Sequence, residues 1–373
     1  MAALLTLAML SSAAALAQGR PAQAAAGTAR ATSALKALLE SADKNDEWPL
    51  DTALKKLADG LGPVTSFEFK GEDGVQDMSA PPGASAQEWA AVRAALTPSA
   101  LEAFHSENGG FNGELRDLDG RGVRSLVLST YVGGTGLFSE TTFWTRAASG
   151  PPRFVLLPDG GYSINGRGSN QDAQFARIGG RIYLVYRDSD YDVDRVGLLR
   201  PAIAAKQGGP SLELSYAHTL SVLPAEPAPA GTNAAEAVAQ QHWRAGHAGL
   251  LRAIDRKLAE LARIERGRAK RGRLPRDRLC TGTGEPLRGA GHYTYDAVTD
   301  FSVRTGGECH EVTLVSFRSS YLTSHTSAVL WVTRLQPDGE TGEQVAELPL
   351  QVKRSLRQVR LSRTPVRPLH GEK

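Results

Sequence analysis

Apolar positions recur three and four residues apart in "SALKALLESADK", through Leu35, Leu38 and Leu39, and in "PLDTALKKLADGLG", through Leu50, Leu54 and Leu57. That spacing puts one apolar stripe on a helix, and Gly60 and Gly62 end the second. "SAQEWAAVRAALTPSALEAFHS" reads as a third helical stretch with a break near Pro98. At residue 111 the period shortens. "SLVLSTYV", "TTFWTR", "RFVLLP", "QFARI", "RIYLVYR" and "RVGLLRP" are short, β-branched or aromatic, and separated by Gly, Asn and Asp clusters, as in antiparallel sheet with tight turns.

"PAEPAPAG" then reads as a Pro/Ala linker. Asn233 and Glu236 fit a capping box, and Trp243, Leu250, Ile254, Leu258 and Leu261 mark one face of a long helix. The strand pattern returns in "HYTYDAV", "DFSVR", "HEVTLVSFR", "SAVLWVTRLQ" and "QVAELPLQV". The expected fold is α+β: a helical N-terminal region, then antiparallel β-rich segments interrupted by one long helix, with a partial propeller-like sheet as one option. The expected boundaries are 33–110 helical, 111–222 β-rich, 223–232 linker, 233–279 amphipathic helix with a basic end, and 280–366 β-rich.

Composition adds a destination. Residues 2–16 carry no charge and end on the small-x-small pattern "ALA", a secretory signal expected to be cut at about residue 17. The missing basic n-region points to a start upstream of Met1. Residues 18–32 read as a flexible mature end. No later run reaches membrane-span length, so no span is expected after cleavage. Apolar content of 41%, with 39 Gly and 20 Pro, fits a globular chain with many turns, and a formal charge of +3 is too small to demand a polyanionic partner. The two cysteines, Cys280 and Cys309, read as a disulfide in an exported chain, closing a 30-residue loop.

Candidate chemistry is sparse. "DLDGRGVRSLVL", residues 117–128, resembles the FG-GAP or VCBS calcium element of integrin-like propeller proteins, in which spaced acids precede an apolar strand. The resemblance implies Asp117 and Asp119 as ligands of Ca²⁺, with the Val123 carbonyl as a third. Arg121 and Ser125 stand where further oxygens are needed, and a cation inside the loop repels Ca²⁺. Arg121 could instead replace the metal by pairing with Asp117 or Asp119. A metal-free turn, a calcium site and another functional loop all stay open.

Asp188, Asp190 and Asp192 precede Asp194 at period two, a second candidate cation site or a solvated hairpin tip with Arg187 and Arg195 as counterions. Residues 252–278 hold eleven Lys and Arg against four Asp and Glu, a local +7 that leaves −4 elsewhere. Within it, Arg266, Arg268, Lys270, Arg271 and Arg273 form a candidate polyanion contact. No Gly-x-Ser-x-Gly elbow or His-Glu-x-x-His pair occurs. "GGTG" lacks the Lys and the helix of a phosphate loop, and His292, His310 and His325 form no recognisable metal spacing.

The expected function is an exported bacterial binding or interaction protein of the periplasm or medium, without catalysis or cofactor. Its partner would be an envelope polymer or a protein, with no nucleic acid. The alternatives are a hydrolase-like envelope enzyme and a calcium-stabilised adhesin-like module.

Overall fold

The computed structural model describes residues 26–133, 138–147, 150, 152–165, 171–189, 193–201, 210–222, 234–268, 299–320, 325–336, 342–362, 364 and 366. The chain is α+β and divides into two compact units. Unit 1 holds 1–42, 49–214 and 358–373; unit 2 holds 43–48 and 215–357.

Unit 1 begins with helix α1 over residues 26–40 and α2, Pro49–Ala58. In α1, Thr28, Ala31 and Thr32 are buried in line with Leu35 and Leu39. The helix therefore includes residues 26–32, which composition assigns to a flexible end. Small and hydroxyl side chains extend the leucine stripe there, and the Thr32 hydroxyl donates to the Thr28 carbonyl at 2.9 Å, hiding its own polarity.

The stretch 33–110 also contains a strand. β1, Thr65–Lys70, alternates buried and exposed positions. The short helices α3, Gly74–Asp77, α4, Ala86–Ala95, and α5, Pro98–Leu101, follow it. β2, Gly110–Arg116, β3, Ser125–Gly133, β4, Phe138–Arg146, and β5, Phe154–Asn165, complete a five-stranded sheet in chain order.

The unbroken apolar run "LVL" in β3 is explained by burial on both faces. Leu126 and Leu128 join Phe67, Trp89, Val92, Phe111 and Leu115 in one cluster, whereas Val127 joins Leu118, Phe143, Leu184 and Tyr186 in another. Each such side chain fully removed from water contributes about 1.5–3 kcal/mol. The Ser85 and Glu88 capping box starts α4, so Trp89 meets the Phe67 ring edge-on at 5.0 Å.

The remaining strands are β6, Gln171–Ile178, β7, Arg181–Ser189, β8, Val193–Leu199, β9, Ser211–Val222, β10, Thr299–Thr305, β11, Glu308–Ser320, β12, His325–Leu335, and β13, Gly342–Ser362. They are ordered β10-β11-β12-β13-β9-β8-β7-β6, and β9 and β13 contribute residues to both units. Among the described residues the two sheets have five and eight strands.

The long helix is two. α6, Ala234–Gly246, and α7, Ala248–Arg268, meet at His247, whose ring stacks on Trp243 at 4.2 Å. α7 packs beside β10 in unit 2, burying Leu250, Ala253, Ile254 and Leu258.

Candidate functional site

The loop 117–124 connects β2 to β3 as a hairpin, with Arg116 opposite Ser125. One Asp117 carboxylate oxygen accepts backbone N–H bonds from Asp119, Gly120 and Arg121, at 3.2, 2.8 and 3.2 Å, and the other accepts from Gly122 at 2.7 Å. Burial pushes the Asp117 carboxyl up, but these donors outweigh it and hold the group below its ordinary value. Gly120 and Gly122 have φ of 76° and 81°, conformations that turn successive N–H groups toward one carboxylate. Arg121 forms a salt bridge with Asp119. The carboxylates of Asp117 and Asp119, which the calcium resemblance implies as ligands, thus accept from backbone donors and from Arg121. Leu118 is buried beneath the turn and anchors it.

The acidic hairpin is divided between neighbours. Asp188 is half-buried and lies opposite Arg195, 3.9 Å away. Asp194 is buried and accepts from the Ser189 hydroxyl at 2.6 Å. Arg187 is 1% exposed and donates to Asp51 at 3.0 Å. Asp190 and Asp192 lie outside the described residues. Among the described residues, no three His, Cys, Asp or Glu side chains come close enough to hold a metal ion.

Among the described residues, His218 and His310 are buried. His218 on β9 has its proton affinity lowered to about 3, by burial and then by the charge of Arg354. His310 on β11 is lowered by burial, partly offset by Glu308, whose carboxylate is 3.8 Å from Nε2. His292 and the side chain of His325 lie outside the described residues. Cys309 faces Arg304 across the β10–β11 pair, and Cys280 lies outside the described residues.

Arg354 sits in unit 2 between two rings, 4.2 Å from the Trp48 centre and 3.4 Å from that of Tyr216. It also donates to the Glu47 carbonyl at 2.9 Å, securing the segment Asp43–Trp48. This is an internal clamp, since its aromatic faces are already covered by the protein's own cation.

Among the described residues, a groove lies between α7 and β10. A cavity of about 430 Å³ is lined by Arg256, Lys257, Glu260 and Ala253 from the helix and by Ser302 and Arg304 from the strand. The helical stripe that buries Ala253, Ile254 and Leu258 leaves Arg256 and Glu260 toward solvent, and alternation along β10 buries Phe301 and Val303 while exposing Arg304. Lys257 and Glu260 are 3.5 Å apart. Asp255 accepts the Val222 backbone N–H at 2.7 Å, so its charge is turned to β9. No ion pair joins Arg256 or Arg304 to a carboxylate among the described residues. Three cations against one carboxylate suit an oxyanion, which guanidinium groups bind through paired hydrogen bonds.

The sequence locates the basic stretch but not this groove. Arg266 and Arg268 fall at the end of α7, about 200° apart around the helix. Lys270, Arg271 and Arg273 lie outside the described residues. Arg304, 48 residues after Arg256, gives no sign in the sequence of lying beside it. The chain matches no known protein family, no curated protein and no solved structure.

Proposed function

We propose that this is an exported, non-catalytic binding protein whose unit 2 engages an anionic partner of the bacterial envelope at the groove between α7 and β10. The observation that carries this reading is the convergence of Arg256, Lys257 and Arg304 on one cavity with Glu260 as the single carboxylate. The uncharged leader-like stretch 2–16, its small-x-small end and the pair of cysteines support an extracytoplasmic setting. No helix among the described residues is long and apolar enough to cross a membrane. The calcium-module alternative has less support, because both oxygens of Asp117 are already engaged by backbone donors.

Co-sedimentation of the exported chain with isolated wall and membrane fractions tests the proposal. Wild type is retained at low salt and released as salt screens the contacts. R256E/R304E loses retention, whereas R153E, an exposed arginine of unit 1, keeps it. Equal retention of the double variant, or no retention of wild type, would overturn the reading.

A further inference from the structure

β10 is the last strand of its sheet. It pairs with β11 at seven consecutive positions, Thr299 to Thr305, without a register shift, and among the described residues no strand lies on its other side. A strand in that place turns every second backbone N–H and C=O outward, as a template for another chain. A proline or a bulge commonly blunts such an edge, and "TDFSVRT" has neither.

The groove runs along this edge. Successive strand residues point to opposite faces, so a cavity bordered by Ser302, Val303 and Arg304 in turn looks at the side of the strand. Its far wall is a flank of α7. Positions 253, 256, 257 and 260 fall within about 100° of one another and climb about 10 Å, beside the buried stripe of Leu250, Ile254 and Leu258. Ala253 and Ala259 put small side chains on that wall, which leaves room for those of a ligand. Arg256 and Arg304 are exposed and form no ion pair among the described residues, while Glu260 is 3.5 Å from Lys257.

Resting on the reading that this groove is the binding site, we propose that it takes an extended acidic segment of a partner protein, which joins the sheet as a strand beside β10. The open edge selects a polypeptide: it calls for N–H and C=O groups repeating at strand spacing, which a phosphate, a glycan or a lipid headgroup lacks. The charge selects the side chains. In the added strand, a residue opposite Arg304 stands beside it on the outer face as a cross-strand pair. The next residue turns to the face that buries Phe301 and Val303, toward Arg256 and Lys257 on α7. Two adjacent acids, one for each face, therefore fit the groove, and a basic segment is repelled.

Fluorescence anisotropy with the full protein and a labelled nonapeptide, Ser-Gly-Thr-Val-Asp-Glu-Val-Thr-Gly, tests the proposal. The peptide binds with a Kd below about 1 mM, and its counterpart with Asn-Gln in place of Asp-Glu binds at least about tenfold more weakly. N-methylation of alternate amides separates strand pairing from charge attraction. On one alternating set it removes the donors aimed at β10 and weakens binding at least about tenfold; on the other, aimed away from β10, binding stays within about threefold. R256Q/R304Q weakens the acidic peptide at least about tenfold with an unchanged thermal melt. Should that melt fall, the two N-methylated peptides, measured on wild type, decide alone.

No peptide binding, equal effects of the two N-methylated sets, or indifference of a folded R256Q/R304Q would each overturn the proposal, as would tighter binding of polyphosphate or of phosphatidylglycerol vesicles. If the peptide fails while envelope retention still depends on Arg256 and Arg304, only the ligand class is wrong. If retention fails as well, the binding reading falls with it.

Discussion

The Arg354 guanidinium lies 3.4 Å from the centre of the Tyr216 ring, with Trp48 against it at 4.2 Å. A desolvated cation on aromatic faces is worth about 2 kcal/mol or more, and its loss also strands the segment that carries Glu47. Arg354→Ala is therefore expected to lower unfolding free energy by about 2–4 kcal/mol. Arg354→Lys should recover only part of it, because a compact ammonium cannot stack as a plane. Urea denaturation of both variants checks this, and an Arg354→Ala loss below about 0.5 kcal/mol would refute the clamp.

Glu88 receives two hydrogen bonds from Arg124, at 2.8 and 2.5 Å, and this partner holds its carboxyl down at about 2. The folded carboxyl binds its proton less tightly than the unfolded one, so the stabilisation is complete above pH ~4.5 and is lost as pH falls toward about 2. Glu88→Gln is expected to cost about 2 kcal/mol at pH 7 by leaving the half-buried Arg124 without its carboxylate. It should also flatten the acid limb between pH ~5 and ~2, measured as unfolding free energy against pH. An acid limb identical to wild type would remove Glu88 from the account.

Gly113 lies opposite Phe67 in the β1–β2 register, and a Cβ at that position would meet the Phe67 ring at 2.2 Å. Gly113→Ala is expected to destabilise by about 1–3 kcal/mol through overpacking. Phe67→Leu should cost less in the Gly113→Ala background than in wild type, a coupling that a double-mutant cycle would read out.

Melting curves of the protein in excess EDTA and in millimolar Ca²⁺ are expected to coincide within about 1 °C, because backbone N–H groups already engage both Asp117 oxygens. A shift of several degrees would mean that an ion displaces those donors. Asp117→Ala should cost about 1–2 kcal/mol with or without the ion, since it abandons four N–H groups in one turn.

Cys280→Ser is expected to lower stability under oxidising conditions by about 3–4 kcal/mol, the loop-entropy value for a bridge to Cys309 closing 30 residues. In excess reductant the variant and wild type should melt together. Matching melts under both conditions would exclude the bridge.

Periodicity reads most of the secondary structure, and its failures have physical causes. "SLVLS" and the α7 stripe are visible because their burial is apolar. β9 is not, because its buried face runs Leu212, Leu214, Tyr216, His218 and Leu220, with a histidine in place of an apolar side chain. The apolar alternation of β13 stops at Val352, because the next inward position is Arg354, whose burial depends on Trp48, 306 residues earlier. Arg187 sits beside Asp188 in the chain but pairs with Asp51, 136 positions away. The groove escapes for the same reason: its cations are ordinary in each local window, and only the packing of α7 on β10 brings them together.

The course of the chain through the two units has a practical consequence. Unit 2 takes six residues from near the start of the chain and its remainder from 215–357, and unit 1 reclaims the last stretch. No single cut therefore yields two complete fragments. Deletions that reach α1 from one end or β13 from the other should disrupt unit 1, and a split reporter placed at 223–233 should regain signal only when both fragments are co-expressed.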